Sequence, residues 1–287
     1  MDIVIAIAIL GGLGLIFGLV LAAASKIFYV ETDPRLEKLN ECLPGANCGG
    51  CGYAGCGGYA EAVLNGEAAI GKCASGGNEC AQAMGEIMGI KAEAVTRKVA
   101  LVRCSGEKRY DSQGTQVAGA RIKANYEGFH DCLAASKVGG SGPLSCKYGC
   151  LGFGSCTKAC KYGAIKVVQG VAKVDEDLCV GCMACANVCP RGLIVPVEPD
   201  RNVVIACNSM AKGAVTTRGC TVGCIGCGLC KKICPNDAIT VTKNLAVIDY
   251  SKCDNCGLCA TVCPKKLIKD SKVETLPDKG VIRSINH

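Results

Sequence analysis

Three kinds of hydrophobic and polar patterning divide the chain. From Ile3 to Ala24 the run IVIAIAILGGLGLIFGLVLAAA holds no charged residue. As a helix it would rise roughly 33 Å, enough to cross a bilayer core of about 30 Å. Asp2 is the only charge before it and Lys26 the first basic residue after it. That order lacks the basic leader of a signal peptide. It predicts a single-pass anchor with the N-terminus outside and residues 26–287 in the cytoplasm. Gly11, Gly14 and Gly18 fall on one side of this helix, where small residues permit close packing against other membrane helices. Two later segments, AIKVVQGVAKVD (164–175) and AITVTKNLAVID (238–249), alternate apolar and polar positions around Gln169-Gly170 and Lys243-Asn244. Each reads as a β-hairpin. Between 47 and 73, NCGGCGYAGCGGYAEAVLNGEAAIGKC passes from a glycine-rich loop into an alanine-rich, helix-like stretch.

Composition then changes the picture. The 287 residues include 26 Cys and 38 Gly, but only four Phe and no Trp. A chain this long with cysteines two or three apart is no small disulfide scaffold, because a disulfide needs two facing residues. Such runs suit metal clusters, which can organise small domains that have little apolar core.

An internal repeat fixes the organisation. Residues 146–190 lie over 220–264 at an offset of 74 without a gap. Cys146, Cys150, Cys156, Cys160, Cys179, Cys182, Cys185 and Cys189 fall on Cys220, Cys224, Cys230, Cys234, Cys253, Cys256, Cys259 and Cys263. This is a duplicated domain. The C-x₂-C-x₂-C-x₃-C-P run is the bacterial ferredoxin pattern, in which three cysteines hold one [4Fe–4S] cluster and the fourth ligates its neighbour. The second copy is then expected to hold one cluster on Cys224, Cys227, Cys230 and Cys263 and another on Cys234, Cys253, Cys256 and Cys259. In the first copy Phe153 stands where Cys227 would fall. Cys146 is therefore expected to join Cys150, Cys156 and Cys189, with Cys160, Cys179, Cys182 and Cys185 holding the partner cluster. Cys220 reads as a leftover of duplication.

Upstream, Cys48, Cys51, Cys56 and Cys73 form a further candidate [4Fe–4S] site on a loop whose glycines can point amides at sulfur. A Cys₄ zinc site is the alternative for this region. About five clusters follow. Cys42, Cys80, Cys104, Cys132, Cys207 and Cys220 remain. Cys132 and Cys207, 14 and 13 residues before Cys146 and Cys220, resemble a repeat pair. A sixth cluster on Cys104, Cys132, Cys207 and Cys220 is allowed by count, with buried free thiols as the favoured reading. His130 and His287 lack companion ligands.

Charge and motif absence narrow the role. The net charge of +7 is concentrated in 140–287, where 19 Lys+Arg face 11 Asp+Glu. No aromatic platform accompanies it, so an acidic redox partner suits it better than nucleic acid. There is no P-loop and no dinucleotide fingerprint outside the apolar run, and no catalytic constellation. The chain relays electrons and carries no complete active site.

An apolar N-terminal helix, an NCGGCGYAGC…C domain and ferredoxin runs in this order resemble the B subunit of the Rnf complex, over the whole chain. Two ferredoxin modules resemble the long form of that family. The resemblance implies a translocase component that takes electrons from reduced ferredoxin and passes them through [4Fe–4S] clusters to the other membrane and cytoplasmic subunits. The complex reduces NAD⁺ and exports Na⁺ or H⁺, with its NAD and flavin sites on other subunits. A polyferredoxin of another membrane oxidoreductase, such as a hydrogenase, and a zinc-stabilised membrane scaffold are the competing readings. The expected fold is α+β: an anchor at 1–25, a linker at 26–40 and a Cys-rich domain at 41–76. A connecting region follows at 77–139, then ferredoxin-like domains at 140–198 and 199–270 and a tail at 271–287.

Overall fold

The computed structural model describes residues 2–27 and 33–270. The tail, with His287, lies outside the described residues. The apolar run forms one helix, α1 (Asp2–Ile27), whose Leu10, Phe17 and Leu21 side chains are exposed. Among the described residues no helix is long and apolar enough to cross a membrane.

Three helices build the next domain. Helix α2 (Pro34–Cys42) starts on Pro34, and the Asp33 carboxylate caps it by accepting from the Arg35 amide at 2.9 Å. Helix α3 (Cys56–Leu64) follows the glycine-rich loop, and α4 (Gly77–Met88) stops at Gly89, whose φ of 66° suits glycine. Their shared core joins Leu39, Tyr59, Val63 and Met84. The domain therefore reaches beyond the expected 41–76 at both ends, because Leu39 and Met84 close its core.

The repeat is visible element by element. In order along the chain come β1 (Val99–Val102), β2 (Arg109–Tyr110), β3 (Gln116–Ala118), α5 (Cys132–Lys137) and α6 (Ser155–Ala159). Next are β4 (Ile165–Val168), β5 (Val171–Val174), α7 (Ala184–Asn187) and β6 (Ile194–Val197). The second copy supplies β7 (Val203–Ile205), α8 (Gly213–Gly219), α9 (Leu229–Ile233), β8 (Ile239–Thr242), β9 (Leu245–Ile248), α10 (Leu258–Thr261) and β10 (Ile268–Asp270). Both expected hairpins form, pairing Ile165 with Val174 and Ile239 with Ile248. Their turn residues Gln169, Gly170, Lys243 and Asn244 all have positive φ, as a type I′ turn demands. In each copy the hairpin and two one-turn helices pack with a second two-stranded sheet.

That second sheet alters the expected boundaries. β1 pairs antiparallel with β6, and β7 with β10. The first module therefore begins near Val99, inside the region expected to be a connector. It carries an insertion, containing β2, β3 and α5, that the second module lacks. The insertion reaches across to the second copy. Arg121 N donates to Gly219 O at 2.9 Å, Thr221 N donates to Gly119 O at 3.2 Å, and Ala120 bridges Cys220.

Candidate iron–sulfur centres

Glycine-rich loops and one-turn helices bring the cysteines together in fours. At site A, Cys48, Cys51, Cys56 and Cys73 line one cavity. The loop holding them is pinned by Asn47, whose Oδ1 accepts from the Cys56 amide at 2.8 Å. At site B, the fields of Cys179, Cys182 and Cys160 all act on Cys185. Sites E and F belong to the second module. Cys224, Cys227, Cys230 and Cys263 line one cavity, and Cys234, Cys253, Cys256 and Cys259 line the other. The structure brings together the cysteines of four of the expected sets.

The remaining expected set is rearranged. Cys150, Cys156 and Cys189 line site C as expected, but the fourth cysteine there is Cys132. Cys146 lies instead on another cavity, site D, together with Cys104, Cys207 and Cys220. The reason is local. Asp131 caps α5 by accepting from the Leu133 and Ala134 amides at 2.8 and 3.0 Å, and it accepts from the Ser155 hydroxyl at 2.7 Å. Ser155 Oγ in turn accepts from the Cys132 amide at 2.8 Å. This network fastens the start of α5 beside Cys156. Phe153, in the place of a cysteine, packs against Tyr126 and His130 with ring centroids 5.1 and 5.6 Å away. His130 is thus a packing residue. Sequence spacing missed Cys132 because it comes from the insertion and has no counterpart at the 74-residue offset.

Among the described residues no group of three His, Cys, Asp or Glu is placed to hold a single metal ion. Backbone amides also aim at sulfur: Ala100 N to Cys179 Sγ at 3.4 Å and Ala238 N to Cys234 Sγ at 3.3 Å. Such bonds favour thiolate and tune the potential of a cluster. Burial opposes the thiolate. It pushes the Cys156 thiol up to about 12 and those of Cys185 and Cys259 to about 11. Cluster loading at neutral pH must therefore release these protons.

Two cysteines stay outside the foursomes. Cys42 and Cys80 sit with the helical core around site A. The Cys80 thiol donates to Cys73 Sγ, which holds Cys73 down at about 6 and pushes Cys80 far above the usual range. A hydrogen bond to a ligand sulfur stabilises the reduced, more negative cluster. Cys80→Ala is expected to keep the site A iron but make its midpoint more negative, by on the order of tens of mV. A titration followed by electron paramagnetic resonance checks this, and an unchanged midpoint would reduce Cys80 to core filling.

Cysteine foursomes with amides directed at sulfur, repeated along one chain, define an iron–sulfur electron-transfer protein. Family models agree: an Fe-S cluster family matches 43–75, a 4Fe-4S binding domain matches 172–195, and a 4Fe-4S dicluster domain matches 223–267. The chain is 44% identical over 252 residues to the B subunit of the Na(+)-translocating ferredoxin:NAD(+) oxidoreductase complex of Acetobacterium woodii, covering 88% of this chain and 73% of that relative. It is 42% identical over 243 residues to the proton-translocating counterpart of Clostridium ljungdahlii, covering 84% and 82%. Against the B subunit of the ion-translocating oxidoreductase complex of Methanosarcina acetivorans it is 37% identical over 248 residues, covering 86% and 90%. The chain belongs to this family, the B subunits of Rnf-type complexes.

Proposed function

We propose that this chain takes electrons from reduced ferredoxin and relays them through [4Fe–4S] clusters into an Rnf-type complex that reduces NAD⁺ and exports Na⁺ or H⁺. The observation that carries the reading is the sequence of contacts between sites. Cys182 of site B also lines the site A cavity, beside Cys48. Cys185 of site B and Cys156 of site C share one buried core, and Cys230 of site E and Cys259 of site F share another. Electrons hop between centres held close together, and a zinc scaffold would have no use for such an order. Site C is assigned to Cys132, Cys150, Cys156 and Cys189.

The entry end is the second module. Cys227 and Cys256 are its exposed cysteines, and exposed Lys231, Lys232 and Lys252 lie near them in sequence. An acidic ferredoxin would be steered there. The uncharged run from Ile3 to Ala24 supports reading the N-terminal segment as the membrane anchor, with the centres on the cytoplasmic side and site A toward the rest of the complex.

The test mixes the anaerobically purified full-length chain, in detergent, with reduced ferredoxin. Rapid bleaching of its iron–sulfur absorption is expected, slowed by rising salt. Absence of electron uptake, or stoichiometric zinc in place of iron, overturns the proposal. Cys132→Ala is expected to lose about four irons per chain, one cluster. Full iron retention in that variant returns site C to another ligand.

A further inference from the structure

We propose that Cys104, Cys146, Cys207 and Cys220 hold a further [4Fe–4S] cluster, at site D between the two ferredoxin modules, and that this cluster completes the relay between them. The inference rests on the electron-relay reading above and adds a centre to it.

The ligands come in symmetry-related pairs. Cys146 and Cys220 are equivalent at the 74-residue offset. Cys104 and Cys207 are not related by that offset, yet each follows the equivalent strand by two residues, β1 ending at Val102 and β7 at Ile205. The hydrogen bonds repeat as well. Cys104 Sγ accepts from Gly106 N and Cys150 N, both at 3.4 Å, while Cys207 Sγ accepts from Ser209 N at 3.5 Å and Cys224 N at 3.3 Å. Cys150 and Cys224 are themselves repeat equivalents. Each module thus contributes two thiols and two amide-to-sulfur bonds to one shared cavity, the pattern of a ligand set built on a pseudo-two-fold axis. Idle thiols left by duplication have no reason to converge across two modules.

Charge points the same way. A four-iron cluster with four thiolates is anionic, and Arg103 lines this cavity. The half-buried Arg191 guanidinium, its Nη1 donating to Cys146 O at 3.4 Å, lies within the fields of Cys146 and Cys104, and Lys108 within those of Cys150 and Cys104. The insertion also closes over Cys220, through the bridge from Ala120 and the bond from Arg121 to Gly219.

Position then assigns the role. Cys150 is a site C cysteine and Cys224 a site E cysteine, and the amide of each donates directly to a site D sulfur. Site D is therefore one hydrogen bond from both neighbours and joins A–B–C to E–F in a single line. One electron arrives from the cluster at site E and the same electron leaves to the cluster at site C, with no atom transferred.

The test counts clusters on the full-length chain, purified without oxygen, by native mass spectrometry with iron, sulfide and zinc analysis. About 24 irons with matching sulfide are expected in the wild type, and about 20 in the Cys104→Ala/Cys207→Ala double variant. Cys42→Ala, outside the foursomes, is expected to stay at about 24. In the double variant, reduced ferredoxin should still bleach the second module rapidly, with the first module falling behind. A wild type holding about 20 irons overturns the sixth site and leaves the relay reading standing. A wild type holding zinc in place of iron overturns both. An unchanged count in the double variant would move the cluster to other ligands and overturn the assignment. The wild-type count decides even if the variant does not fold.

Discussion

Removing iron from the loaded chain with a chelator is expected to unfold both ferredoxin modules, beyond bleaching them. Each module has a core of twelve buried residues, and four of the twelve are cysteines: Cys150, Cys156, Cys179 and Cys185 in one, Cys207, Cys224, Cys230 and Cys259 in the other. The sheets are two-stranded and the helices near the clusters single turns, elements that do not persist alone in water. The inorganic cores are what the apolar residues are arranged around. Structural metal sites of comparable ligand number contribute about 10–16 kcal/mol in small domains, which exceeds what these cores can supply. Far-ultraviolet circular dichroism and urea titration of the stripped chain should show no cooperative transition from the modules. The helical domain around Tyr59 and Met84 has a more conventional core and should retain more of its structure. A stripped protein that still melts cooperatively in its ferredoxin modules would show that the clusters only decorate a self-sufficient fold.

The second large effect is expected from a single methyl group. A Cβ at Gly50 would lie 2.2 Å from the carbonyl oxygen of Cys182, a backbone atom that cannot swing aside. That contact seats site A on site B. Overpacking of this kind costs about 1–3 kcal/mol, so Gly50→Ala should reduce the docked population about 5–150-fold. Electron delivery to site A should fall in step while iron content stays unchanged, since Gly50 ligates nothing. Gly58→Ala, with no atom within 4 Å of its Cβ, is the matched control in the same domain. Stopped-flow reduction resolved by cluster spectrum reads both. Equal rates in the two variants would mean that the A–B contact is not the path.

Much of the site was legible in the residues alone, for a reason particular to ferredoxin runs. Cys224, Cys227 and Cys230 lie on one short loop, so their spacing reports a geometry that the backbone cannot avoid. The crossover to Cys263 came with the motif, and the hairpins with their alternation and turn residues. The sets at sites A, B, E and F follow from such local patterns. Site C did not. Phe153 signalled that a thiolate was missing, and Cys146 was the nearest candidate in sequence. The cysteine that lines that cavity is Cys132, tied to Ser155 through Asp131 within an insertion that repeat alignment passes over, and it is the one proposed as the fourth ligand.

By itself, then, the sequence determined the duplication, the α+β class, the cluster type and the family. Each of these is written in residues close along the chain or repeated at one offset. Tertiary structure decided which cysteines share a cavity when they lie far apart. Cys104 reaches Cys207 and Cys220 because β1 pairs with β6 and β7 with β10, so each strand ends two residues short of the same cavity wall. Strand pairing is long-range and insertions change its loop lengths freely, so spacing cannot encode it. The cavity between the modules exists only once both have folded against each other.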